Sequence, residues 1–285
     1  MKKEKYIGPF KLYTKKPNDI TCGALYTMEV KLPVDNEKQR TVRVYLPEGY
    51  DESQEYPVMY MSDGQNIVDK YTTAYGAWNI DVSEQKLIKE GIIPFIIVGI
   101  DCPKTNPVFR AREYSFDAIP IKYGFKKDIN QCYGYSSKLL AYIVNELKPI
   151  VDEHFATMKD KKYTAFGGSS MGGIMAFNAM TSYPDVFGFC LSFSPAFHIY
   201  FKNDLKQYFE SLNLNPADYG RFFFYVGSVG FEHMFVKPTI WAHNYLYKRG
   251  FNEKNLALLM DSTQAHCEAA WEKYFPEAIK FWLSE

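Results

Sequence analysis

The chain has 285 residues, 47% of them hydrophobic, enough to bury the core of one large α/β domain or of two small ones. Its 33 Lys and Arg balance 33 Asp and Glu, so a formal net charge of zero offers no electrostatic footprint for nucleic acid or an anionic membrane. The apolar runs are shorter than a membrane span and no basic-then-apolar leader opens the chain, so the expected location is the cytoplasm.

Residues 1–20 carry no clear periodicity. Ala24 to Leu32 and Arg40 to Leu46, the second alternating Val42, Val44 and Leu46, predict two strands joined by a polar turn at 33–37. Tyr56 to Met61 predicts a strand that ends in the polar turn Ser62-Asp63-Gly64-Gln65-Asn66. Val82 to Glu90 has a helical pattern, and the near-continuous apolar run Ile93 to Ile100 predicts a strand buried on both faces of a parallel sheet. From about Asp101 to Cys132 the chain reads as a long irregular connection, of the kind that walls an active site. Ser136 to His154 predicts an amphipathic helix, Tyr163 to Phe166 a strand and Ile174 to Met180 a helix. Val186 to Phe193, Arg221 to Val226 and Asn255 to Met260 predict further strands. Helices are expected between them at Leu205 to Leu212 and Ile240 to Tyr247, and a last one at Ala269 to Leu283. Strands alternating with helices along the whole length predict a single α/β domain over residues 1–285, with a mostly parallel central sheet flanked by helices. Ligands in such sheets bind at the carboxyl ends of the strands.

Gly168-Ser-Ser-Met-Gly172 lies between the strand and the helix that this architecture requires for a nucleophile elbow. A serine hydroxyl is a poor nucleophile at its free pKa, so it has to be held exposed, beside a base and near donors for the oxyanion. Centring the motif on Ser170 puts glycine at both flanking positions, whereas centring it on Ser169 puts Met171 where a glycine is needed. Ser170 is therefore the candidate nucleophile, and the Met171 N–H one oxyanion donor.

In an α/β-hydrolase fold the acid and then the histidine follow the nucleophile. His154 precedes Ser170, His198 follows too soon to leave room for an acid and suits the pocket wall, and His243 falls inside a predicted helix. His266 follows the last strand and precedes the last helix, which is the expected place. Glu232, in the loop after Arg221 to Val226, is the only carboxylate between Asp218 and Glu253; Asp261, at the end of the last strand, is its rival. The second oxyanion donor is expected from the early polar turn, as the backbone N–H of Gln65 or alternatively of Asn66. Cys22, Cys102, Cys132, Cys190 and Cys267 are scattered without a Cys-x-x-Cys pair and read as reduced thiols rather than a metal site.

These residues resemble the Putative esterase (esterase D-like) family of α/β-hydrolases, which includes feruloyl and acetyl xylan esterases, S-formylglutathione hydrolases and enterochelin esterases. The likeness runs from about Tyr26 to the end of the chain. It rests on Tyr56 to Asn66, Ile97 to Asp101, Arg112-Glu-Tyr-Ser115, Gly168 to Gly173, Tyr183 to Gly188, and His266 before a Trp-containing helix. The loop Gly227-Ser-Val-Gly-Phe-Glu232 is two residues longer than the acid loop of many members. The resemblance implies a serine esterase that forms an acyl-enzyme without metal or organic cofactor, acting on a small-molecule or carbohydrate ester, including hydroxycinnamoyl esters. A thioesterase or acyltransferase on the same triad, and a silent binding module, are the competing readings. Tyr71, Tyr75 and Trp78 lie just past the oxyanion turn, where they could stack on a sugar or an aryl acid. Arg110 and Arg112 are candidate carboxylate or catechol ligands, with Arg112 expected instead to pair with Glu113 at the surface and pin the long loop. A homodimer through a helix edge stays open.

Overall fold

The structure, a computed structural model, describes residues 5–34, 39–73, 75–103, 107–122 and 133–284. Most of the expected 33–37 turn, Cys132 and part of the 101–132 connection lie outside the described residues.

Four N-terminal strands pair antiparallel in succession: β1 (Tyr6–Ile7), β2 (Phe10–Leu12), β3 (Ala24–Lys31) and β4 (Gln39–Leu46). The next six are β5 (Val58–Ser62), β6 (Ile96–Ile100), β7 (Thr164–Ser169), β8 (Phe189–Phe193), β9 (Arg221–Val229) and β10 (Leu256–Ala265). These pair parallel to one another, and β6 meets β4 antiparallel. One sheet results, in the order β1-β2-β3-β4-β6-β5-β7-β8-β9-β10. Because β6 and β7 flank β5 on opposite sides, the turn after β5 and the turn after β7 emerge side by side, where ligands bind in open α/β sheets.

The period of two along each strand sorts the core into two layers. Val58 and Tyr60 of β5 face one cluster, where Leu139, Ile143, Phe177, Phe209 and Phe235 pack. Met59 and Met61 face the other, with Leu87, Trp271, Phe275 and Ile279. The helices are α1 (Ile80–Lys89), α2 (Pro107–Glu113), α3 (Ser136–Tyr142), α4 (Lys148–His154), α5 (Met171–Ser182), α6 (Lys202–Ser211), α7 (His233–Lys248) and α8 (Glu268–Leu283).

Three departures from the sequence reading have physical causes. Residues 107–113 of the expected irregular connection form α2, and buried ion pairs tie this stretch to β4 on both sides of it. Arg40 grips Glu113 at 3.1 and 2.9 Å, and Arg43 grips Asp101 at 2.6 and 2.9 Å. The helix expected at 136–154 widens into a π turn at Ile143–Leu147, where the Lys148 N–H reaches back to the Ile143 carbonyl. Pro149, which has no N–H and crowds the preceding turn, sits just beyond it. The last strand continues past Met260 to Ala265, with a register shift between Asp261 and Ala265.

Glu84 of α1 is fully buried, and its Oε1 accepts the Phe95 N–H at 2.8 Å. Burial pushes its carboxyl from 4.5 up to about 8. The folded state thus holds this proton more tightly than the unfolded chain. Its contribution to stability is complete below pH 4.5 and is lost as pH rises to about 8, at about 1.4 kcal/mol per pH unit for one group. Thermal melts from about pH 5 to about pH 8 are expected to show a shallower decline for Glu84→Gln than for the parent; equal slopes would count against a buried neutral Glu84.

Candidate active site

Ser170 joins β7 to α5 with φ 60° and ψ −119°, a strained conformation for a residue with a Cβ. The surrounding backbone holds it there: its N–H donates to the Phe193 carbonyl at 2.9 Å, and its carbonyl accepts the Ala196 N–H at 3.0 Å. The glycines of the motif are required by close approach. A Cβ on Gly168 would lie 2.7 Å from the Gly172 carbonyl oxygen, and one on Gly172 would lie 2.9 Å from Ser62 Cβ. The second contact seats the start of α5 directly on the end of β5. Among the described residues, Ser170 Oγ makes no hydrogen bond to His266.

Glu232 is fully buried in a single turn between β9 and α7. The His266 Nδ1–H donates to Glu232 Oε2. The other oxygen, Oε1, accepts from the Ser194 hydroxyl and from the Gly227 N–H at 3.0 Å. Ser194 in turn accepts the Trp271 indole N–H at 3.0 Å. The carboxylate is therefore fixed from the ends of β8, β9 and β10 and from α8, and its remaining oxygen is aimed at His266. The imidazole of His266 lies against Phe235, with ring centroids 4.3 Å apart, and its edge meets Trp271 at 4.9 Å. Ser194 and Trp271 were not among the expected site residues; Ser194 directly follows β8 with a positive φ of 44°, and the sequence Phe193-Ser-Pro at a strand's carboxyl end was the available sign.

Asp261, the rival acid, faces other partners. Its carboxylate accepts from the Tyr274 hydroxyl, from Thr263 N–H and Oγ1 at 2.9 and 2.7 Å, and from Lys273 at 3.1 Å. These bonds, that from Tyr274 foremost, hold its carboxyl well below the usual range.

The turn Gly64–Asn66 follows Asp63, which adopts φ 57° and ψ 50°. Arg110 clamps the Asp63 carboxylate with two bonds of 2.7 and 2.6 Å, and the Asp63 N–H donates to the Tyr114 hydroxyl at 3.2 Å. The side chain of Gln65 is pinned to Cys102, donating to Sγ at 3.1 Å and accepting the Cys102 N–H at 3.0 Å. Its backbone carbonyl takes the Thr72 hydroxyl at 2.6 Å. Neither the Gln65 N–H nor the Met171 N–H is engaged by an acceptor among the described residues.

The structure corrects several expectations about substrate contacts. Trp78 is 3% exposed and packs among Phe193, Trp271 and Phe275 at 5.4 to 5.9 Å, so it belongs to the core and cannot stack on a ligand. Arg110 is committed to Asp63 rather than open to a ligand carboxylate. Arg112 does not pair with Glu113; it donates to the Tyr133 carbonyl and lies over the Tyr135 ring, while the fully buried Glu113 pairs with Arg40. Tyr75, 82% exposed, stands in solvent beyond the oxyanion turn. His198 packs its ring on Phe235 at 4.3 Å, and burial, followed by the charge of His266, lowers its pKa to about 4. It is therefore a neutral wall of the site at physiological pH. The free cysteines Cys22, Cys102, Cys190 and Cys267 form no disulfide, and among the described residues no cluster of His, Cys, Asp and Glu is placed to hold a metal ion. No described helix is long and apolar enough to cross a membrane.

A parallel-centred sheet with helices on both faces, a glycine-flanked serine at the end of β7 and an imidazole–carboxylate pair beyond β9 and β10 define an α/β-hydrolase-type protein. The model of the family described as Putative esterase matches residues 35–274, and the chain belongs to that family of carboxylic ester hydrolases. Over 252 residues it is 24% identical to the uncharacterized protein YbbA of Bacillus subtilis, covering 86% of this chain and 92% of YbbA. It is 24% identical over 176 residues to the ferri-bacillibactin esterase BesA of the same organism, covering 60% of this chain and 58% of BesA. It is 28% identical over 163 residues to an endo-1,4-beta-xylanase/feruloyl esterase of Xylanibacter ruminicola, covering 53% of this chain but only 19% of that protein. Among solved structures, the BES protein from Bacillus cereus superposes with a TM-score of 0.67 at 19% identity, covering 96% of this chain and 99% of that one. The feruloyl esterase module from Clostridium thermocellum, solved with sinapinate, superposes with a TM-score of 0.65 at 14% identity, covering 97% and 94%.

Proposed function

We propose that this chain is a serine esterase working through a Ser170–His266–Glu232 triad, and that it cleaves esters of aromatic acids, hydroxycinnamoyl esters of carbohydrates foremost. The observation that carries the catalytic part is the buried Glu232 carboxylate bonded to His266 Nδ1, in the expected chain order after the Ser170 elbow. With Nδ1–H fixed by Glu232, the free Nε2 of His266 is the base for the Ser170 hydroxyl. The Ser170 Oγ–His266 Nε2 hydrogen bond forms as the ester is bound. Ser170 Oγ then attacks the ester carbonyl, the N–H groups of Met171 and Gln65 receive the oxyanion, and the imidazolium protonates the leaving alcohol. Water, deprotonated by His266, releases the acid by the same steps in reverse order.

The aryl preference rests on the rings beside His266. Phe231 is 58% exposed, its edge meets the His266 ring at 5.6 Å, and it packs on Phe235 at 5.3 Å. With His198 these rings form an apolar wall beside the base, and a flat aromatic group gains most from such a surface. The family relative named an endo-1,4-beta-xylanase/feruloyl esterase suits the same wall. Phe231→Ala is expected to lower kcat/KM for methyl ferulate by about tenfold and for p-nitrophenyl acetate by no more than about threefold. Equal losses on both, or a parent that prefers acetyl over feruloyl esters, would remove the aryl reading. Ferri-siderophore esters belong in the same panel.

A further inference from the structure

Two residues past His266, in the first turn of α8, Glu268 is only 6% exposed, and its Oε1 accepts the Asn66 Nδ2–H at 3.2 Å. Asn66 closes the oxyanion turn, its own N–H bonded to the Asp63 carbonyl at 2.8 Å, and its Oδ1 is buried without a donor. The carboxylate of Glu268 thus joins the turn that offers Gln65 to the segment that carries His266.

We propose that Glu268 is a positioning residue that works as a neutral carboxylic acid: it braces Asn66, and through it the oxyanion turn, against the His266 segment, and its ionisation slows acyl transfer by placing a further negative charge beside the developing oxyanion. This role rests on the triad assigned above. Burial foremost, then the nearby Asp63 carboxylate, oppose ionisation, while its own backbone N–H, the Arg110 guanidinium and the helix terminus favour it. The balance holds the carboxyl up to about 7. Arg110 cannot neutralise a second anion fully, because its Nε and Nη2 are already bound to Asp63. Glu272, the next acid along α8, is occupied by the Asn79 amide at 2.9 Å, and a Cβ built on Gly76 would lie 3.6 Å from the Glu268 Cβ. A neutral Glu268 also has the O–H that Asn66 Oδ1 lacks, since an amide turned over by 180° keeps its outline while presenting that oxygen to the acid.

A general base alone gives a rate that rises with pH and then stays level; an acid that must remain neutral adds a falling limb. The test is kcat/KM for p-nitrophenyl butyrate from about pH 5.5 to about pH 9, on the parent, Glu268→Gln, Glu268→Ala and Glu84→Gln, each shown to be folded by circular dichroism. The parent is expected to fall about fivefold from its maximum with a midpoint near 7. Glu268→Gln, which resembles the neutral acid and cannot ionise, should stay within about threefold of the parent maximum and lose the falling limb. Glu268→Ala should be about tenfold slower throughout, and Glu84→Gln should keep the parent's bell. A Glu268→Gln profile that superimposes on the parent's, or Gln and Ala variants equally slow at every pH, would overturn the proposal. If neither Glu268 variant folds, carbon-13 titration of glutamate carboxyls in Glu84→Gln decides: one titrating near 7 supports it and none rejects it. A Ser170→Ala variant as active as the parent would contradict the triad instead, and the carboxyl titration would still report on Glu268.

Discussion

Ser170→Ala is expected to reduce kcat on a good aryl ester by about 10⁴- to 10⁶-fold without unfolding the protein. The loss is that large because covalent catalysis ends with the hydroxyl: His266 has nothing to deprotonate, and only the oxyanion donors and substrate binding remain. The fold should tolerate the change. The strained φ of 60° is imposed by backbone bonds to Phe193 and Ala196, which alanine retains, and no hydrogen bond of the Ser170 hydroxyl among the described residues is lost. The check is kcat by stopped assay on purified parent and variant with matching circular dichroism. A folded Ser170→Ala retaining more than about 1% of the activity would rule Ser170 out as nucleophile.

Glu232→Ala carries the second largest effect, on both activity and stability. Its removal strips the His266 Nδ1–H, the Ser194 hydroxyl and the Gly227 N–H of their shared acceptor in a fully buried place. Unpaired buried donors of this kind cost roughly 1 to 3 kcal/mol each when nothing else receives them, so Tm should drop measurably. The imidazole is then free to turn or change tautomer, and kcat should fall by about 10³- to 10⁴-fold. Glu232→Gln keeps the volume and much of the stability but offers an amide where His266 needs an anion, so it should be nearly as inactive. Asp261→Ala, whose partners are Thr263, Lys273 and Tyr274, is expected within about threefold of the parent. A severe loss in Asp261→Ala beside a mild one in Glu232→Ala would reverse the assignment of the acid.

The elements of the site that are local in sequence could be read from it, and those made by tertiary contact could not. The turn at Ser170 was legible because strand, glycine-flanked turn and helix are adjacent along the chain, and the same five residues state both the conformation and its steric requirement. Glu232 and His266 were legible through chain order after successive strands, and the structure does bring their side chains into contact. Their neighbours Ser194 and Trp271 lie 77 residues apart in sequence, and only the packing of α8 on the sheet gathers them around the carboxylate. Trp78 illustrates the opposite error. Its place after the oxyanion turn suggested a ligand platform, but α8 returns more than 190 residues later to bury it under Trp271 and Phe275. The partner of Glu113 was hidden for the same reason: adjacent Arg112 points elsewhere, and Arg40 reaches it from 73 residues away. The sheet's parallel half followed from its continuous apolar runs, whereas β1 and β2 are too short to show a period and were missed.

The most direct measurement is covalent labelling with a fluorophosphonate followed by mass mapping of the modified peptide. A serine activated by His266 and Glu232 should be phosphonylated stoichiometrically within minutes, with the added mass on Ser170 and no labelling of Ser170→Ala or, at the same time point, of Glu232→Ala. A folded parent that takes up no label, or that carries it on a residue other than Ser170, would contradict the serine-esterase mechanism at its centre.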